Sequence, residues 1–150
     1  MRTKDGAKFN IVLASGIVEK RGKFLIAQRS YEEIQAPGKW SIPGGKVEVK
    51  GEELNVIERT LRKEIKEEVG VEIEDKLVYL KSSSFIRVDK APVVAILFLC
   101  KWNSGKAKPL EDSIKTAWID IRDIDKYDFA TGVKRALKVA HQKFRKIEER

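Results

Sequence analysis

The stretch from Gly44 to Val71 constrains the fold more than any other part of the chain. It is entered through Pro43-Gly44-Gly45, a tripeptide that forbids regular structure and lets the backbone approach closely to a neighbour. From Glu52 onward the apolar period becomes helical: Leu54, Ile57, Leu61, Ile65 and Val69 recur along one face, and Gly70 is placed to stop the helix. On both sides the pattern is that of strands, rich in β-branched residues, over 9–18, 24–29, 71–79, 84–88, 92–102 and 114–119. Residues 30–39 carry turn and charge signals and read as a loop. A second helical period runs over 133–144, through Val133, Leu137, Ala140 and Phe144. Strands interrupted and followed by helices predict layers of helix packed on sheet.

A chain of 150 residues is enough for one domain with its own core, and 1–150 is read as a single domain. The longest apolar run, 91–100, is too short to cross a bilayer and suits a buried strand. Residues 1–6 are charged and lack the apolar stretch of a secretory signal. The only cysteine, Cys100, lies in the apolar run and reads as a buried small hydrophobe. Together these point to the cytoplasm and away from membranes. The net charge of +8 suggests a protein that meets anions, although solubility accounts for much of it.

Glu64, Glu67 and Glu68 are spaced i, i+3 and i+4, which brings their carboxylates together on one helix face. Like charges so placed repel, and a hard divalent cation that prefers oxygen ligands is one compensator. Lys63 and Lys66 are another, in an ordinary solvated helix, and spacing alone does not exclude it. Glu68 projects within the arc of Ile57 and Leu61, but so does Glu58, so direction alone does not single out the candidates.

The flanking residues add a more specific signal. Lys63-Glu64-Ile65-Lys66-Glu67-Glu68-Val69-Gly70-Val71, together with the run Gly38-Lys39-Trp40-Ser41-Ile42-Pro43-Gly44-Gly45 upstream, resembles the signature box of the Nudix hydrolases, the MutT-like family. Two departures stand out. Six residues separate Gly45 from Glu52 and ten separate Glu52 from Lys63, about four more in total than the family pattern. Four residues is close to one helical turn, and the apolar spacing continues through Leu54, so the added stretch is expected to lengthen the start of the helix. Lys63 also stands where the family has arginine, which keeps the charge but loses the planar two-pronged donor.

The resemblance implies an α/β/α sandwich, with a mixed sheet between the box helix and a C-terminal helix. It implies a hydrolase that cleaves the phosphoanhydride of a nucleoside diphosphate derivative, a (d)NTP or oxidised (d)NTP first, to a nucleoside monophosphate. Glu64, Glu67 and Glu68, joined by the Gly45 carbonyl, become the ligands of Mg²⁺, with Mn²⁺ as a substitute. Lys63 belongs to the same machinery. The general base is Glu64, or else Glu111 or Asp112 on the loop before the 114–119 strand. Arg29 and Lys46 flank the box loop and are candidate phosphate contacts. Tyr79, Phe85, Trp40 and Trp118 read as core aromatics, and His141 as an exposed residue of a basic helix.

Other readings share these residues. ADP-ribose, a dinucleoside polyphosphate or a capped RNA end are alternative substrates. A binding protein that kept the fold and lost catalysis is an alternative of another class. For that reading the basic helix (Lys134, Arg135, Lys138, Lys143, Arg145 and Lys146) offers a nucleic-acid surface. No aromatic interleaving supports it. Nothing in the sequence bears on oligomeric state.

Overall fold

The computed structural model describes residues 9–148, so the charged N-terminal stretch 1–6 lies outside the described residues. Two long strands, β1 (Ile11–Lys20) and β2 (Lys23–Arg29), are joined by a tight turn at Arg21-Gly22 and pair antiparallel. Short strands β3 (Trp40–Ser41) and β4 (Gly44–Lys46) precede helix α1 (Val56–Val69). Then come β5 (Glu72–Ile73), β6 (Val78–Ile86), β7 (Pro92–Ser104), β8 (Ser113–Ile119), a 3-10 turn over Ile121–Lys126 and helix α2 (Val133–Glu148).

All the strands form one mixed sheet with the order β3-β2-β1-β7-β5, to which β8 adds on β2, β4 on β1 and β6 on β7. β1 and β7 are parallel, in register from Ile11 opposite Val93 to Glu19 opposite Lys101, and the other pairs are antiparallel. Alternation of side chains along β1 and β2 feeds two cores. Ile17, Phe24 and Ile26 pack with Leu97 and Leu99 against Ala136, Leu137 and Ala140 of α2. Ala14, Val18, Leu25 and Ala27 pack with Cys100 against Leu61, Ile65 and Val69 of α1. The α/β/α sandwich is therefore present. Cys100 is fully buried, and burial pushes its thiol up to about 12, as an inert core residue.

Helix α1 lies very close to the sheet because β1 carries a glycine beneath it. A Cβ on Gly16 would come within 2.9 Å of Ile65 Cδ1 and 3.0 Å of Cys100 Sγ, tighter than packing allows.

The sheet differs from the sequence reading in its right half. The stretch 71–79 is not one strand: it breaks after Ile73, and β6 then runs without interruption through Ser82-Ser83-Ser84. Tyr79 and Phe85, read as core aromatics, are 56% and 38% exposed, on a strand that among the described residues pairs with β7 and with no other. Trp40 and Trp118 do pack against the two cores. His141 is half-buried, not exposed: its ring meets Phe24 edge-on at 6.4 Å, and its Nδ1 is buried with no partner among the described residues.

The four extra residues do not lengthen the helix. α1 starts at Val56, and Asn55 before it adopts a left-handed conformation, φ 59°, which turns the chain off the helical path. Leu54 is 89% exposed and cannot join the face buried by Leu61 and Ile65. Residues 47–55 form an open loop, held to the helix by an ion pair between Glu53 and Arg59.

Candidate active site

The C-terminal half of α1 lies beside β4, and the two glycines of β4 meet two different glutamates. A Cβ on Gly45 would fall on the Glu64 side chain, 2.5 Å from its Cδ, so only a glycine lets the Glu64 carboxylate lie against this strand. The Gly44 amide donates to Glu68 Oε2 at 3.1 Å. Gly44 itself is wedged against β1, where a Cβ would fall on the Ala14 carbonyl oxygen and 2.7 Å from Ser15 Cα.

The loop after β7 closes the site from the other side. The Lys108 amide donates to the Val69 carbonyl at 3.0 Å and the Leu110 amide to the Glu68 carbonyl at 2.9 Å, so residues 108–110 satisfy carbonyls left open at the end of α1. The strap then delivers Glu111, whose backbone sits at φ 49°, a sparsely populated region for a residue with a side chain. Oxygens of Glu64, Glu67 and Glu111 lie within 4.8 Å of one another. Asp112, the alternative on this loop, is exposed and contributes its backbone carbonyl to the Ser30 amide at 2.9 Å.

Glu68 stands apart from that trio. Its Oε2 accepts the Gly44 amide and its Oε1 accepts the hydroxyl of buried Ser113 at 3.1 Å. Burial pushes its carboxyl up to about 7, more than the Gly44 and Ser113 hydrogen bonds and the Arg29 charge pull it down. Glu64 is also raised above the ordinary carboxylate range, by burial first and then by Glu67, while Lys63 opposes the shift. Lys63 Nζ lies 3.5 Å from Glu67 and 3.9 Å from Glu64, within reach of the two carboxylates that it precedes on the helix. Arg62 points away, as its offset along the helix requires, and bonds the carbonyls of Glu74 and Asp75.

The two candidate phosphate contacts differ. Arg29 is engaged by its own loop, donating from Nε to the Gln35 carbonyl at 2.9 Å and pairing with Glu33 at 3.5 Å. Lys46 is exposed at the end of β4, one residue from Gly45. Ser113 was not singled out from the sequence, since a serine opening a strand carries no signal of its own. Its place beside Glu68 depends on the turn over Glu111-Asp112, which the sequence does not reveal.

The buried state of Glu68 has a consequence for stability. Because its folded carboxyl titrates near 7 and an unfolded one near 4.5, the folded metal-free protein holds a proton that the unfolded chain releases between those values. That contribution is complete below about pH 4.5 and is lost as pH rises through 7. Glu68→Gln keeps an acceptor for Gly44 and a polar partner for Ser113 without the charge. Denaturation in the presence of chelator should find the variant more stable than the parent by about 3 kcal/mol near pH 8, with the difference vanishing near pH 4.

The model of the NUDIX domain matches residues 10–140 of this chain. The chain belongs to the Nudix hydrolase family. An ADP-ribose pyrophosphatase of Methanocaldococcus jannaschii is 30% identical over 118 residues, which span 79% of this chain and 66% of that relative's own length, just under two thirds. A nucleoside triphosphatase, NudI, of Escherichia coli K12 is 25% identical over 134 residues, 82% of this chain and 91% of the relative. The NUDIX domain of Shewanella oneidensis NrtR, solved with ADP ribose, shares the fold with a TM-score of 0.76 at 15% identity, covering 95% of this chain and 93% of that one. Among the described residues no helix is long and apolar enough to cross a membrane.

Proposed function

We propose that this protein is a Mg²⁺-dependent pyrophosphohydrolase that splits a nucleoside triphosphate into the monophosphate and pyrophosphate. The observation that carries the reading is the convergence of Glu64, Glu67 and Glu111 within 4.8 Å beside Gly45. The donor set is all oxygen and all acidic, which suits Mg²⁺ or Mn²⁺ and not a softer ion. Those three carboxylates and the Gly45 carbonyl would hold the ion, which when bound supplies charge neutralisation at the phosphate chain and lowers the proton affinity of a bound water. Glu64 is the least exposed of the helix pair, 20% against 41% for Glu67, and its affinity for a proton is raised. We assign it to accept the proton of the attacking water, which adds to phosphorus as pyrophosphate leaves. Lys63 limits the repulsion between Glu64 and Glu67, and Lys46 offers its charge to the phosphates. Glu68 fixes the Gly44-Gly45 strand against the helix.

ADP-ribose is the second reading, favoured by the name of the 30% identical relative and by the ligand of the NrtR domain. The two separate on products. With Mg²⁺, a panel of (d)NTPs, oxidised dGTP, ADP-ribose and diadenosine polyphosphates should give nucleoside monophosphate and pyrophosphate from a triphosphate, and chelator should abolish turnover. AMP with ribose 5-phosphate as the dominant product would move the assignment to ADP-ribose. No turnover of any compound, with tight nucleotide or RNA binding that weakens steeply with salt, would favour a binding protein instead. Metal binding has its own readout. At a Mg²⁺ concentration about 100 times its dissociation constant the folded state gains about 2.7 kcal/mol, seen as a rise in Tm.

A further inference from the structure

Ser113 has no part in the proposed cleavage as described above, yet it is buried, polar and aimed at the acidic face of α1. Its amide is used locally, donating to the Leu110 carbonyl at 3.0 Å, so the strap turns tightly just before β8 begins. Its hydroxyl donates to Glu68 Oε1 at 3.1 Å while the Gly44 amide donates to the other oxygen of the same carboxylate. Ser113 is also the register partner of Arg29 across the β2–β8 pair, so it is held from the sheet as well as from the loop. One carboxylate thus links three separate pieces of chain: the strand that carries Gly44 and Gly45, helix α1, and the start of β8 two residues after Glu111.

We propose that Ser113 is a positioning residue for the reaction: through Glu68 it fixes the spacing between the Gly44-Gly45 strand and the Glu64–Glu67–Glu111 cluster. The inference rests on the reading of that cluster as a divalent-ion site. A carboxylate held by a donor on each oxygen has one orientation. With one donor removed it can turn about its last bond, and the Gly44 amide loses a fixed acceptor. Gly45 then loses its set distance from Glu64. A misplacement of this kind costs more in rate than in affinity for substrate, because groups that act in the transition state tolerate displacement least.

The test uses the full-length protein and three measurements. In Ser113→Ala, exchange of the Gly44 amide should accelerate at least tenfold by NMR, Mn²⁺ binding followed by EPR should weaken several-fold, and kcat should fall about tenfold or more with nucleotide KM within about twofold. Ser113→Thr keeps the hydroxyl and should restore all three. An unchanged Gly44 amide in Ser113→Ala overturns the proposal, and so does a Thr variant as impaired as the Ala variant. The exchange and Mn²⁺ measurements need no turnover. If the parent protein hydrolyses nothing, the hydrolase reading fails while these two still decide the role of Ser113.

Discussion

Glu64→Gln is expected to lower kcat by about 10³-fold, the largest loss of any single substitution in the site. A proton acceptor that is removed cannot be replaced by its neighbour without a change in position, and Glu64 is the carboxylate seated directly against Gly45. The amide keeps the size and the packing, so Tm in the absence of metal should hold or rise, since one of four mutually repelling acids is gone (Glu48 and Glu111 are also felt at Glu64). Glu111→Gln should act differently, weakening Mn²⁺ binding with a smaller fall in kcat that excess metal largely restores. Steady-state kinetics across a metal titration distinguishes the two. If both variants retain near-parental kcat at saturating metal, neither residue is the base. If Glu111→Gln is the one that loses 10³-fold whatever the metal concentration, the base belongs on the strap and not on the helix.

The two glycines of β4 should fail in opposite ways. Gly44→Ala places a methyl group on the backbone of β1, at the Ala14 carbonyl and Ser15 Cα, where nothing can rotate aside. It should destabilise the protein by about 3 kcal/mol and reduce the yield of folded material. Gly45→Ala places its methyl against the Glu64 side chain, which can swing away. Stability should change by less than about 1 kcal/mol, but Mn²⁺ affinity should drop roughly tenfold and activity with it. Thermal denaturation with and without metal, on both variants, separates loss of fold from loss of site. Equal stability losses in the two would mean that Gly45 serves only the strand.

The layers of the fold were legible from periodicity because burial is decided by which face a residue occupies. Ile57, Leu61, Ile65 and Val69 do form the buried side of α1, and Gly70 does end it in the left-handed conformation, φ 72°. The start of that helix was misread because an apolar period does not reveal backbone conformation. Leu54 keeps the spacing yet lies beyond Asn55, and only the dihedral at Asn55 shows that the helical path ends there. β6 was misread for a related reason. Its exposed serines look like a turn, but an edge strand needs no apolar residues on its uncovered half.

The site was legible to the extent that it is local. Three glutamates on one helix were visible from spacing, and their separation into Glu64 and Glu67 on one side and Glu68 on the other was not. That division depends on Gly44, Ser113 and Glu111, which lie 24, 45 and 47 residues away from their helix partners and meet them only through the sheet. Glu111 could be nominated from its place on the strap. Ser113 and the engagement of Arg29 by Gln35 and Glu33 required the folded chain.

The bare backbone of Gly16 has a consequence for how this protein can diverge. Because β1 presents no side chain of its own at Gly16, the Ile65 and Leu61 side chains of α1 settle directly over its backbone, and the height of the helix that carries the glutamates is set at the centre of the sheet and not at its rim. The 47–55 loop lies open ahead of α1, outside that contact, so it can change while the carboxylates keep their level. Selection for new substrates can therefore work on the periphery, leaving the hydrolytic chemistry anchored to a part of the fold it does not touch.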